Sequence, residues 1–384
     1  MKRSARWRKS VDWKKVAKWS AVAAGAALVA AAVYVASNSG DCEPPDMSKF
    51  VNSFEVPSDA DNVYCGLAAA TNVVNEKTGR LVLDEVFGRW SKPSIGFTRE
   101  PTTGAEKDAI LAASAKVLDL YHEAAQRKTW CGYDPSGKRD PFPDMTSFMR
   151  LCRLACLQAE RRLELGETGA AIGDVRDMFQ LARKIEHDAE SAYRWLLMRF
   201  LLKHAFDMTV KIANSESSTD EDLVRLQEAM AQYDIASRPE RALRMLNNEF
   251  SVYFAWMCDP ENVMDAHDCP DEGSFSHFAM RVPFLAPYFY QRNRTLALCA
   301  DVIEKMKEGV RSGYGKAAWN RVHGEIDNIL SVESCLGPNS TGRCLLVNNF
   351  RIGLQINDFL GLAKSYKEVN SAVIKARLSR QAVE

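Results

Sequence analysis

Along most of this 384-residue chain, apolar positions recur at the three- and four-residue spacing of one helix face, and alternating runs are rare. Between Thr103 and Arg127, Ile110, Leu111, Ser114, Val117, Leu118, Tyr121, Ala124 and Ala125 fall at such spacings and predict one amphipathic helix. Met145 to Leu165 predicts a second, closed by Gly166 just past its end, and Thr168 to Ile185 a return helix. Ala189 to Ala213 is apolar on nearly every face, so it is expected at the centre of the fold. Ser218 with Glu221 reads as a capping box opening a helix through Tyr233. Pro239 suits the first turn of a helix through Trp256, since a first-turn residue needs no amide hydrogen.

An earlier helix is expected from Asp59 to Gly79, and later ones over Ala286–Val310, Lys316–Val332 and Ile352–Leu378. Strand signals are confined to short runs such as CLLVNNF, so the fold class is all-α. The stretch QAERRLELGETGAAIGDVRDMFQLARKI is similar to a single tetratricopeptide hairpin, with Gly166 in the turn and Ala171 where the helices pack closely. The pattern does not return one period later, so a bundle is expected and not a repeat array.

Charge changes the picture at the N-terminus. Eight of the residues 1–18 are Lys or Arg against the single acid Asp12, so the remainder of a formally neutral chain is mildly acidic. That acidic remainder has no basic stripe, which excludes nucleic acid as a partner. Residues 19–36 follow without a charge, with Trp19 and Tyr34 at the ends, and reach the lower length limit for a membrane-spanning helix. The basic flank puts residues 1–18 in the cytoplasm and the body outside, as a single-pass inner-membrane protein with a periplasmic body. The alternative is a secreted chain cleaved after Val35-Ala36-Ser37. Residues 37–58 read as a linker, 59–257 as a helical lobe, 258–285 as a disulfide-tied loop and 286–384 as a C-terminal helical lobe.

All ten cysteines lie beyond the uncharged segment, which suits an oxidising compartment. Cys258 with Cys269, and Cys335 with Cys344, bracket loops rich in turn residues and are expected as disulfides. Cys152 and Cys156 fall on an apolar helix face and read as core thiols. For Cys42, Cys65, Cys131 and Cys299 the spacing leaves the pairing open. Neither a metal nor a cofactor is called for, because no Cys/His quartet, P-loop or dinucleotide fingerprint is present.

The anchor, the entry VPSDADNVYCGLAAA, the loop WCGYDP, the glycine-turned hairpin and YFYQRNRT together resemble a set of uncharacterised membrane-anchored or secreted helical proteins of planctomycete and verrucomicrobial bacteria. The resemblance implies architecture and location; it carries no activity and no catalytic residue.

Catalytic signatures for nucleophilic, zinc-dependent and nucleotide chemistry fail on spacing. The candidates left are Glu249, and His204 one turn from Asp207, as members of a carboxylate or His–carboxylate pair. A concentration of aromatics, Phe275, Phe278, Phe284, Tyr288, Phe289 and Tyr290, reads as a binding face for envelope proteins or glycans, with a membrane-contacting edge or packing between two helical lobes as the alternatives. The expected function is therefore a membrane-anchored extracytoplasmic binding or scaffolding protein of the cell envelope. The alternative is an envelope hydrolase.

Overall fold

The structure, a computed structural model, describes residues 13–50, 57–75, 103–132, 145–188, 192–260, 262, 282, 285–313, 316–329, 339, 340, 342 and 359–381. Every regular element among them is helical, and the fold is all-α. The helices are α1 (Trp13–Asn38), α2 (Val63–Asn75), α3 (Gly104–Ala113), α4 (Ala115–Gln126), α5 (Met145–Glu164), α6 (Thr168–Asp188), α7 (Ala192–Ala213), α8 (Asp220–Ala231), α9 (Arg238–Asn248), α10 (Ala255–Met257), α11 (Ala286–Phe289), α12 (Arg292–Arg311), α13 (Lys316–Ile329) and α14 (Phe359–Gln381). A π-helical segment, Glu249–Phe254, joins α9 to α10.

Two compact units divide the chain. The smaller comprises Met1–Pro45, Cys258–Leu298 and Asn328–Asn348. It holds α1, α11 and the first turns of α12. The exposed α1 is the one described helix long and apolar enough to cross a membrane, with a mean hydropathy of 1.9 over its best window. Lys14, Lys15 and Lys18 occupy its first turns.

The larger unit comprises Asp46–Met257, Cys299–Asp327 and Asn349–Glu384. Its hub is α6, which packs against α4, α5, α7, α8 and α9. Ala189–Ala213, the most apolar stretch, is expected as a central buried helix, and the described part of it, α7, buries Leu197, Leu201, Leu202 and Met208 and packs against α5, α6 and α14. The expected hairpin is present. Gly166 takes φ +78°, and the Glu167 amide donates to Arg162 O at 2.8 Å across the turn. At the α2–α4 crossing, Gly66 is required by closeness, since a Cβ there would lie 2.7 Å from that of Ala124.

Three helix expectations need correction. The helix expected over Thr103–Arg127 is two, because the chain breaks at the buried Ser114, which closes α3 with ψ near 7° and opens α4. The capping box of α8 is one residue later than expected: Thr219 accepts from the Asp222 amide, and the Asp222 carboxylate accepts from Thr219 N. Ser218 instead donates to Ile212 O, back onto the preceding helix. The helix expected from Ala286 starts as the single turn α11 and breaks at Tyr290, which is extended, before α12 begins. CLLVNNF, Cys269, Cys335, Cys344, Phe275, Phe278 and Phe284 lie outside the described residues.

Candidate functional site: a cation-lined cleft

The second half of α6 places Arg183, Lys184, Glu186 and His187 toward α9 and the end of α4. A cleft of about 530 Å³ opens there. Lys128, Arg183, Lys184, Arg241 and Arg244 line it, with His187, against the carboxylates of Asp234 and Glu240. Thr129 and Ser237 add hydroxyls.

Its floor is held by a buried charge cluster. Glu186 is fully buried and accepts from Arg238 Nε and Arg241 Nε, each at 2.9 Å. Arg241 donates further to Tyr233 O at 3.2 Å and Asp234 O at 3.0 Å, both at the turn before α9. The two guanidinium planes also meet aromatic faces, Arg238 at 5.6 Å from the Trp195 centroid and Arg241 at 5.2 Å from Tyr233. One carboxylate thus serves two buried cations. Removing one partner from such a cluster costs about 3–5 kcal/mol, because it strands charge in a poorly solvated place.

The walls are set by backbone ends. Lys184 Nζ donates to Ala125 O and Arg127 O at 2.7 and 2.5 Å, where α4 ends and its carbonyls face outward. Burial and the adjacent Arg183 lower the Lys184 pKa, with Asp177 acting against them. At the opposite wall Asp234 takes a left-handed conformation, φ 48°. The Ser237 hydroxyl donates to its carboxylate at 2.5 Å, and that bond, with Arg241 nearby, holds the Asp234 pKa below the usual carboxylate range.

A second polar cluster lies earlier on α6. His122 Nδ1 bonds the Asp177 carboxylate at 2.8 Å, and Nε2 bonds Gln158 Oε1 at 2.8 Å. Asp174 stands 3.6 Å from Nε2 and accepts from Arg162 at 2.5 Å. Burial opposes charge on His122, but the bonds to Asp177 and Gln158 and the two carboxylates outweigh it, and its pKa is raised. Burial pushes Asp174 up to about 6, with Arg162 and His122 pulling the other way. The Tyr121 hydroxyl is buried beside these groups without a hydrogen-bond partner among the described residues, and desolvation keeps it protonated.

The residues singled out from sequence are distributed differently. His204 lies on α7, where burial, then Arg153, Lys203 and Lys211, push its pKa down to about 4. Asp207 is exposed, and no hydrogen bond joins it to His204 among the described residues. Glu249 is buried at the first position of the π segment. Tyr288, Phe289 and Tyr290 form and follow α11 in the smaller unit. Cys152 is buried with its pKa raised well above the thiol range by desolvation, and Cys156 is pushed up to about 12. Cys258 is buried, and its expected partner lies outside the described residues.

The cleft went unseen in the sequence because its lining comes from three places far apart in the chain. One signal was there to be used: RKIEH places two basic residues, and RPERALR three, beside a glutamate within two helical turns. Compared with protein-family models, with curated proteins and with solved structures, the chain matches none.

Proposed function

We propose that this chain is a membrane-anchored, extracytoplasmic helical binding module of the cell envelope, and that its cleft receives an anionic group, a carboxylate or a phosphate, carried by its partner. The observation that carries this reading is the lining of the cleft, where Lys128, Arg183, Lys184, Arg241 and Arg244 stand against Asp234 and Glu240, with Arg241 held from behind by the buried carboxylate of Glu186. Charge-assisted bonds from guanidinium groups are the strong kind, and the exposed Arg183 lines the cleft with Arg241, which Glu186, Tyr233 and Asp234 hold in place. The contrast with an otherwise acidic body favours an anion entering at this place and few others. The anchor half of the proposal rests on α1 and its basic flank, which keep the N-terminus cytoplasmic. Secretion after cleavage is the alternative.

The test is a thermal-unfolding titration of the full chain in detergent with inorganic phosphate and with citrate. Binding to the folded state raises the midpoint, by about 2.7 kcal/mol of stabilisation at a hundred times Kd. Arg183→Ala, an exposed change, is expected to weaken that effect about tenfold, the loss of one charge-assisted bond. No midpoint shift with either anion, or an equal shift in Arg183→Ala, sinks the proposal. The hydrolase reading draws on the His122–Asp177 pair, though both ring nitrogens are already engaged. Turnover of a glycan or peptidoglycan substrate that His122→Gln abolishes would put it first.

A further inference from the structure

We propose that α11 and the residues flanking it, Leu285–Tyr290, form a foot that rests in the headgroup region of the bilayer, clamped to the outer end of α1. The inference depends on α1 being a retained membrane anchor. It replaces the reading of Tyr288 and Phe289 as a protein-binding face with contact to lipid.

The clamp is built from hydrogen bonds within the smaller unit. Gln291 Nε2 donates to Asn38 O, the last residue of α1, at 2.5 Å. Three residues on, the Asp41 carboxylate accepts from the amides of Asn293 and Arg294 at 2.8 and 2.9 Å. It thereby caps the first turn of α12, where amide hydrogens lack helical partners. Asn293 Nδ2 adds a bond to Cys42 O at 2.9 Å. The segment just beyond α1 is therefore tied down and is no slack tether.

A second set of bonds fixes α11 in the same place. Asn339, buried and left-handed at φ 62°, donates its amide to Tyr288 O at 2.6 Å and accepts from the Gln291 amide at 2.8 Å. Its side chain also pairs with the Thr295 hydroxyl at 3.0 Å. The Tyr290 hydroxyl donates to Cys258 O, which ties this ring's polar end to the protein. Leu285, Tyr288, Phe289 and Tyr290 are all partly exposed. α11 packs on α1, and the Tyr288 hydroxyl is within electrostatic reach of that of Tyr34.

Depth then follows from the anchor. The uncharged run of α1 ends near Tyr34 and Ala36, and only about 6 Å of helix rise separates Tyr34 from Asn38. Whatever is bonded at Asn38 and packed by Tyr34 lies at the water–hydrocarbon boundary, where an amphipathic tyrosine ring is favoured over either bulk phase. Half-exposed Leu and Phe at that depth bury apolar surface in lipid, and Arg292, 46% exposed, sits where lipid phosphates lie. The consequence is that the smaller unit is held against the membrane at a fixed point.

The experiment places p-benzoylphenylalanine at Phe289, at Tyr34 or at Phe250 in the full chain, reconstituted in nanodiscs of phosphatidylethanolamine and phosphatidylglycerol. Each sample is illuminated and its lipid adducts are measured by mass. Phe250 is fully buried and sets the background. The proposal expects lipid adducts at Phe289 and Tyr34 several-fold above that background. Adducts at Tyr34 with none above background at Phe289 overturn the foot and leave the anchor standing. Background levels at both positions overturn the anchor and the foot together. Cross-linking of Phe289 to a second copy of the chain overturns the foot in favour of self-association.

Discussion

Two histidines of the bundle have been driven in opposite directions. His122 on α4 and His204 on α7 each sit partly buried among helices, and burial alone lowers both. His122 meets Asp177, Gln158 and Asp174, which hold a proton on it. His204 meets Arg153, Lys203 and Lys211, which add to desolvation. Position on a helix face thus says little about a histidine's charge. The residues that the fold delivers from other helices decide it, and a His–carboxylate pair arises where α4 packs on α6, over a separation of 55 residues.

The largest expected effect comes from His204 in acid. Its folded pKa, about 4, lies below the ordinary value of 6.5, so the stability it contributes is complete above 6.5 and is lost as pH falls toward 4. The whole change is on the order of 3 kcal/mol. Asp174 works against it. With a folded pKa raised to about 6, its contribution is complete below 3.8 and lost as pH rises through 6. Chemical denaturation of His204→Gln and of Asp174→Asn between pH 4 and 6.5 separates the two. The first variant should lose the acid-side decline and the second should steepen it. An unchanged profile in His204→Gln shows that the cations around it do not set its charge.

On the alkaline side His122 takes over. Its raised pKa makes its contribution complete below 6.5 and lost as pH climbs through the folded value. Asp177→Ala removes the carboxylate that accepts from the ring and from Gln126 Nε2. The expected cost is about 2 kcal/mol at pH 6, the range for hydrogen bonds to charged groups. An NMR titration should find the His122 pKa lower than in the parent chain. A pKa that stays raised would mean that Asp174 is the dominant partner.

Much of the architecture was readable because it rests on local pattern. Gly166 ends a helix by a rule that needs no tertiary information, and Pro239 opens one by another. The uncharged run before Ser37 is a helix on composition alone. Errors fell where tertiary demands override that pattern. Ser114 keeps the spacing of its helix yet breaks it, and Tyr290 interrupts a run that reads as continuous because its hydroxyl is drawn to Cys258 O. The polar sites were hidden for the same reason. His204 stood out because Asp207 lies one turn away on the same helix, whereas His122 follows Tyr121 in a stretch where nothing local announces Asp177. Glu186 finds Arg238 and Arg241 52 and 55 residues further along the chain, beyond the reach of any local pattern.

The smallest effect sharpens what makes His122 cationic. Gln158 offers its amide oxygen to Nε2 at 2.8 Å, so both ring N–H groups have acceptors only while the imidazole is doubly protonated. Gln158→Leu deletes that acceptor and leaves Asp174, 3.6 Å away, as the nearest oxygen to Nε2. A neutral acceptor contributes less than a carboxylate, so the loss should be about 1 kcal/mol and the fall in the His122 pKa smaller than in Asp177→Ala. In the double variant the two losses should fall short of their sum, because once the ring gives up its proton each bond matters less to the other. Measuring both single variants and the double by denaturation and by NMR titration tests this directly. A Gln158→Leu pKa as low as that of Asp177→Ala would mean that the count of hydrogen bonds, and not the nearby negative charge, holds the proton on His122, and the contrast with His204 would then rest on desolvation.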